Sequence, residues 1–220
     1  MINDTKPFYV YTENNCLYIK NINEKIDKIA NNIVSYCANF DDNNLIHICS
    51  IDTKGRLIHF IYNNARIRKK VLGKICHNIN NLKNMRLFII QNYLNLFVVE
   101  ESSIKENIFR VSHYNFSTSN YNVYKYHINN IVQNNEYIYK LNIDEMSNMI
   151  LTYESENKNN RGEPYRQTLI FNTTNRKWIE ANSLLRKSNS FSPECNCNST
   201  IKDDLFEFCY SISYKKYNND

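Results

Sequence analysis

The sequence predicts an all-β fold of antiparallel strands, and three observations carry that reading. Short runs rich in Ile, Val, Phe, Tyr and Leu recur along the chain, separated by clusters of Asn, Asp, Ser and Lys. Helix signals are weak beside them. Groups of strands begin near Phe8, Ile46, Leu87 and Tyr137, at spacings of 38, 41 and 50 residues, which suits repeated antiparallel units of about 40 to 50 residues with four strands each. The expected architecture is a propeller-like array of about four antiparallel β units over residues 1–186, with a β-sandwich or an irregular β-barrel as the alternative.

Taken in order, strands are expected near residues 8–12, 16–20, 28–36, 45–51, 56–62, 66–72, 86–91, 94–100, 107–114, 121–128, 137–142, 148–153, 167–172 and 176–180. Short helices are expected at 76–84 and 142–147, where one group of strands joins the next. Asp52-Thr53-Lys54-Gly55 marks a tight turn in which Gly takes the positive φ that closes a hairpin. Pairing Asp52 with Gly55 sets residue 47 opposite 60 and residue 48 opposite 59. His47 and Phe60 then share one face, and Ile48 and His59 the other. Both faces are largely apolar, as expected of strands held between neighbouring layers. Leu57-Ile58-His59-Phe60, leading to the basic run at Arg66, is echoed by Leu169-Ile170-Phe171, leading to Arg176 and Trp178. Residues 187–220 read as a polar linker and a Cys-containing tail. There Phe206, Phe208, Tyr210, Ile212 and Tyr214 alternate as one extra strand would.

At 220 residues with 42% hydrophobic and 13% aromatic residues, the chain can bury a substantial core, which excludes a disordered class. It holds 39 Asn but only 3 Gly and 3 Pro. A/T-rich codons account for that bias, so Asn richness is not read as function. Met1-Ile2-Asn3-Asp4-Thr5-Lys6-Pro7 has neither the basic nor the apolar region of a secretory signal, so a cytoplasmic location is expected. Apolar runs such as 96–99 fall far below a membrane span. The odd count of seven Cys argues for reduced thiols. Cys195 and Cys197 with Cys209 could offer three thiolates. A structural zinc takes four ligands and none of the five His lies nearby in sequence, so no metal is expected.

Charge is unevenly distributed. Between Thr53 and Val99 there is no Asp or Glu, but nine cations: Lys54, Arg56, Arg66, Arg68, Lys69, Lys70, Lys74, Lys83 and Arg86. Subtracting those nine from the chain's +5 leaves −4 for the remainder, so the basic character belongs to the second unit. Arg66, Arg68, Lys69, Lys70 and Lys74 are the candidate residues for binding a polyanion, a nucleic acid or an anionic surface. The competing reading is an outer strand kept soluble and guarded against edge pairing by positive charge.

Catalytic signatures are missing. The sequence has no Gly-x-Ser-x-Gly elbow and no thiol-enzyme signature. Gly55, Gly73 and Gly162 cannot build a phosphate loop, and Glu100-Glu101 and Asp144-Glu145 lack the partner geometry of a glycosidase. Neither an enzyme nor a cofactor is expected.

The stretches Phe8-Tyr9-Val10-Tyr11-Thr12-Glu13, Ile46-His47-Ile48-Cys49-Ser50-Ile51-Asp52-Thr53-Lys54-Gly55, Asn92-Tyr93-Leu94-Asn95-Leu96-Phe97 and Leu141-Asn142-Ile143-Asp144-Glu145 are similar to a group of uncharacterised, propeller-like repeat proteins of clostridial type. The resemblance covers about residues 7–187. It implies a repeated β fold and no established activity, so no functional residues carry over. Members of that group often continue into a helical, coiled-coil-like region, which the Cys- and Ser-containing tail does not resemble. The function expected is a non-catalytic binding scaffold with a protein partner, or alternatively a polyanion binder acting through the basic second unit. A glycan-active enzyme is the remaining reading and would need carboxylates converging at a channel mouth.

Overall fold

A computed structural model describes residues 8–20, 24–63, 66–134, 137–158, 162 and 164–181. Among them the elements are fifteen strands and a single-turn 3-10 helix, and the paired strands run antiparallel. No helix among the described residues is long and apolar enough to cross a membrane. The chain divides into two compact units.

The first unit takes in the described residues up to Glu100 together with Ser112–Tyr126. Strands β1 (Tyr9–Glu13), β2 (Cys16–Lys20) and β3 (Ile26–Ala30) form a three-stranded meander. Strands β4 (Ile33–Phe40), β5 (Ile46–Asp52), β6 (Arg56–Asn63) and β7 (Arg66–Lys74) form a four-stranded one in chain order. After a 3-10 turn at Ile79–Asn81 come β8 (Leu82–Ile90), β9 (Tyr93–Glu101), the later part of β10 (Ile108–Ser117) and the first residues of β11 (Tyr124–Val132), successive in a third sheet.

Both faces of β5 and β6 are buried, as their apolar alternation on both sides predicts. One face packs Ile46, Ile48, Ile58, Phe60 and Tyr62 against Leu17 and Ile19 of β2. The other packs Cys49, Ile51 and Leu57 against Met85, Leu87, Leu94, Leu96, Val98, Tyr114 and Phe116. Each such side chain removed from water contributes about 1.5–3 kcal/mol. The β4–β7 sheet is therefore the middle layer of a sandwich-like stack. Among the described residues each sheet begins and ends on a different strand, so none closes there into the irregular barrel held open as an alternative.

The second unit takes in Glu101–Val111 and the described residues from His127. Here β13 (Met149–Lys158) pairs with the end of β11, with β12 (Tyr139–Ile143) and with β14 (Pro164–Asn172), and β14 pairs with β15 (Lys177–Glu180). Leu141, Leu151 and Phe171 are fully buried. Trp178, half-buried, pairs across the strands with Phe171, the ring centroids 5.2 Å apart.

With few glycines, turns need another residue that tolerates φ > 0. Among the described residues, seven of the twelve non-glycine positions with positive φ are asparagines: Asn14, Asn15, Asn32, Asn44, Asn92, Asn107 and Asn130. The short Asn side chain tolerates the left-handed region and bonds locally to the backbone.

Several sequence expectations are corrected. The single strand expected at 28–36 is two, β3 and β4, broken at Asn31-Asn32 where Asn32 has φ 60°. The helix expected at 76–84 shrinks to one 3-10 turn, where the Asn78 side chain accepts from the Asn80 amide, and the rest becomes the start of β8. Residues 142–147 form the end of β12 and a turn, in which Asp144 accepts the Asn148 amide at 2.7 Å.

The β5–β6 register also differs, by one residue. Cys49 pairs with His59, Ile48 with Phe60 and His47 with Ile61. The loop holds three residues where two were expected, because Asp52 Oδ1 accepts the amides of both Lys54 and Arg56 and carries the turn past Gly55. Gly55, at φ 74°, closes it. Its carbonyl accepts the amides of Ile75 and Cys76, so the turn is also tied to the end of β7.

Candidate anion-binding strand and the histidine chain behind it

All five sequence-predicted cations lie on β7, the last strand of the four-stranded sheet. Every residue of β7 except Leu72 is exposed. Pairing with β6 sorts its side chains by face. Arg66, Arg68 and Lys70 stand opposite Asn63, Ile61 and His59, while Ile67, Lys69 and Val71 stand opposite Tyr62, Phe60 and Ile58. A bulge at Leu72 and Gly73 (φ 127°) breaks the regular pairing before Lys74, which faces Arg56. None of the five cations forms an ion pair with a carboxylate among the described residues. Two rest on aromatic rings instead: Lys69 Nζ lies 5.9 Å from the Phe60 centroid and Lys70 Nζ 5.7 Å from that of Tyr121.

A polar cavity of about 400 Å³ adjoins the Lys69 side of the strand, lined by Lys54, Arg56, Lys69, Asp52 and the turn at residues 29–32. Asp52 is held by Arg56, whose Nε and Nη2 donate to Oδ2 at 2.7 and 2.6 Å. Burial pushes the Asp52 carboxyl up, but the Arg56 side chain and the amides of Arg56 and Lys54 outweigh it and hold the pKa below the usual carboxylate value. Lys54 and Lys69 are left as the cavity's uncompensated charges.

Behind the cation face of β7 runs a hydrogen-bonded chain that the expected register had split between two faces. His47 Nε2 lies 3.3 Å from Asp41 Oδ2, His47 Nδ1 lies 3.0 Å from His59 Nε2, and His59 Nδ1 lies 3.2 Å from the Tyr121 hydroxyl. The two imidazoles stack with centroids 5.2 Å apart. Burial, with His47 and Arg68 nearby, lowers the His59 pKa to about 3. Burial also lowers that of His47, outweighing the Asp41 carboxylate that pulls it up. With both rings neutral, one proton order satisfies all three contacts: Tyr121 O–H donates to His59, His59 Nε2–H to His47, and His47 Nε2–H to Asp41.

Tyr121 has φ 55°, a strained conformation for an aromatic residue. It is held by its hydroxyl bond to His59, by its amide bond to the Ser117 carbonyl, and by stacking on Phe116 at 6.3 Å. Burial raises the pKa of its phenol. The chain thus fixes the ring that lies under Lys70.

Sequence reasoning missed Asp41 and Tyr121 and placed the two histidines apart; only a three-residue count for the 53–55 loop would have paired them. His113 lies elsewhere in the first unit, stacked on Phe97 at 4.5 Å, with Nε2 donating to Asn95 Oδ1 at 3.1 Å. Cys195, Cys197, Cys209 and the expected tail strand lie outside the described residues. Among the described residues no group of three or more His, Cys, Asp or Glu is placed to hold a metal ion. No family model matches this sequence, and no curated protein matches it.

Proposed function

We propose that this chain is a non-catalytic binding scaffold that engages a protein partner bearing an anionic surface through β7. The observation that carries the reading is a nine-residue terminal strand, exposed almost throughout, whose five cations have no carboxylate partner among the described residues. Charge placed only for solubility needs no such alignment, and an exposed sheet edge is a ready template for a partner. The reading is non-catalytic because the Asp41–His47–His59–Tyr121 chain has both imidazoles buried and spends its ring nitrogens on internal hydrogen bonds.

A second reading, a nucleic acid along the same strand, is favoured by the two cations seated over aromatic rings and by the cavity holding Lys54 and Lys69. A cytoplasmic location belongs to the same proposal. It is supported by free thiols at Cys16, Cys37, Cys49 and Cys76, the middle two directly opposed across β4 and β5 yet unbonded. The propeller-like repeat, and kinship with the uncharacterised group that has it, are likewise proposed. Their support is the β4–β7 meander, with both faces of its inner strands buried.

The test is binding of the purified chain to poly-glutamate, single-stranded DNA and anionic vesicles across a salt series. It is run beside the variant Arg66→Glu, Arg68→Glu, Lys69→Glu, Lys70→Glu. If the four cations meet phosphates of a single strand, the log–log salt slope is about −3. Binding that falls steeply with salt and is lost in the variant is the expected result. No binding of any anion in low salt returns these cations to solubility.

A further inference from the structure

We infer that β7 takes an extended acidic peptide as a fifth strand of the β4–β7 sheet, an inference that rests on the reading of β7 as the binding surface. Among the described residues β7 pairs with β6 alone. Among the described residues no other backbone hydrogen bond reaches residues 66–74, so within them the outward amides and carbonyls of the strand have no partner. A strand laid on that edge satisfies them, and side chains then confer selectivity.

The two faces of β7 ask for different neighbours. On one, Arg66, Arg68 and Lys70 recur at every second residue. On the other, Ile67 and Val71, 38% and 44% exposed, flank Lys69. The complementary strand therefore alternates acidic and apolar residues along residues 66–71, where the bulge at Leu72 and Gly73 ends the regular edge. A second copy of β7 fails this test, because it sets cations directly opposite cations. The charges that block self-association therefore select an acidic strand. A nucleic acid meets the three cations but leaves Ile67, Val71 and the backbone edge unused.

The experiment uses the full chain and a fluorescent, end-blocked nine-residue peptide alternating Glu and Val. Beside it run an isomer of the same composition with Glu and Val in separate blocks, the alternating peptide with every second amide N-methylated, and single-stranded DNA of equal charge. The alternating peptide is expected to bind about tenfold more tightly than the block isomer, three charge pairs each giving about a factor of two. N-methylation is expected to abolish that advantage, and hydrogen exchange to slow at the outward amides of residues 66–71. Because four charge reversals also change the strand's own electrostatics, Arg68→Gln with Lys70→Gln serves as the milder variant and is expected to remove most of the advantage. Equal binding of the two isomers, no effect of N-methylation, or tighter binding of the DNA overturns strand addition while leaving an anion-binding β7 in place. Failure of all four probes in low salt removes both.

Discussion

Lowering the pH from 7 to 5 tests the two most deeply buried imidazoles. His59 and His113 are both fully buried, and burial lowers each pKa from 6.5 to about 3. For His59 the neighbouring His47 and Arg68 add to that effect. Between pH 6.5 and 3 the unfolded chain binds a proton at each site that the folded chain does not, so stability falls as pH falls through that window. Each site contributes a slope of about 1.4 kcal/mol per pH unit, hence a loss of about 2 kcal/mol by pH 5. The pair together lose about 4 kcal/mol, and His47, whose pKa is also lowered, acts in the same sense. Because this interval lies above the ordinary carboxylate range, acidic groups contribute little to it. The assay is urea unfolding followed by far-ultraviolet circular dichroism at pH 7, 6 and 5. It is paired with His113→Phe, which keeps a ring between Phe97 and Tyr126 and removes the titration. That variant should lose about 1.4 kcal/mol per pH unit of slope, whatever its stability at pH 7. Stability that stays level from pH 7 to 5, or a His113→Phe slope equal to that of the parent, refutes the assignment of these imidazoles as buried and neutral.

Three further outcomes are expected. Tyr121→Phe leaves the ring under Lys70 but removes the donor to His59 Nδ1, and should cost about 1 kcal/mol by urea midpoint. Gly55→Ala places a methyl 1.9 Å from the Cys76 carbonyl oxygen at φ 74°, so a loss of at least about 2 kcal/mol is expected from the same titration, and a neutral result would mean that the turn is not tied to the end of β7. Asp52→Asn weakens the acceptor of the Lys54 and Arg56 amides and of the Arg56 guanidinium. Since the Asp52 pKa is held below its unfolded value, its contribution is present above about pH 4 and lost as pH falls further. The variant should therefore be less stable than the parent at pH 7, and the difference should shrink toward pH 3.

The all-β class, most strand positions and the basic stripe at Arg66, Arg68, Lys69, Lys70 and Lys74 were legible in the sequence because each depends on neighbours a few residues away. A period of two marks a strand, Asn and Gly mark the turns, and a run of cations in a strand at a sheet edge stays exposed whatever packs elsewhere. Both buried faces of β5 and β6 could be read for the same reason, since their apolar residues leave neither face suited to water.

Which side chains share a face was decided by tertiary structure. Side chains alternate with a period of two, so one extra residue in the 53–55 loop exchanged the faces of β6 relative to β5 and brought His59 onto His47. The loop length in turn depends on Asp52 capturing two amides and on Gly55 meeting residues 75 and 76, and the last of these bonds closes only once β7 is in place. Tyr121 reaches His59 across 62 residues of sequence, from a turn whose strained backbone no local propensity favours. Local pattern thus determined the strands and their charge, whereas long-range closure decided the histidine chain and the ring on which Lys70 rests.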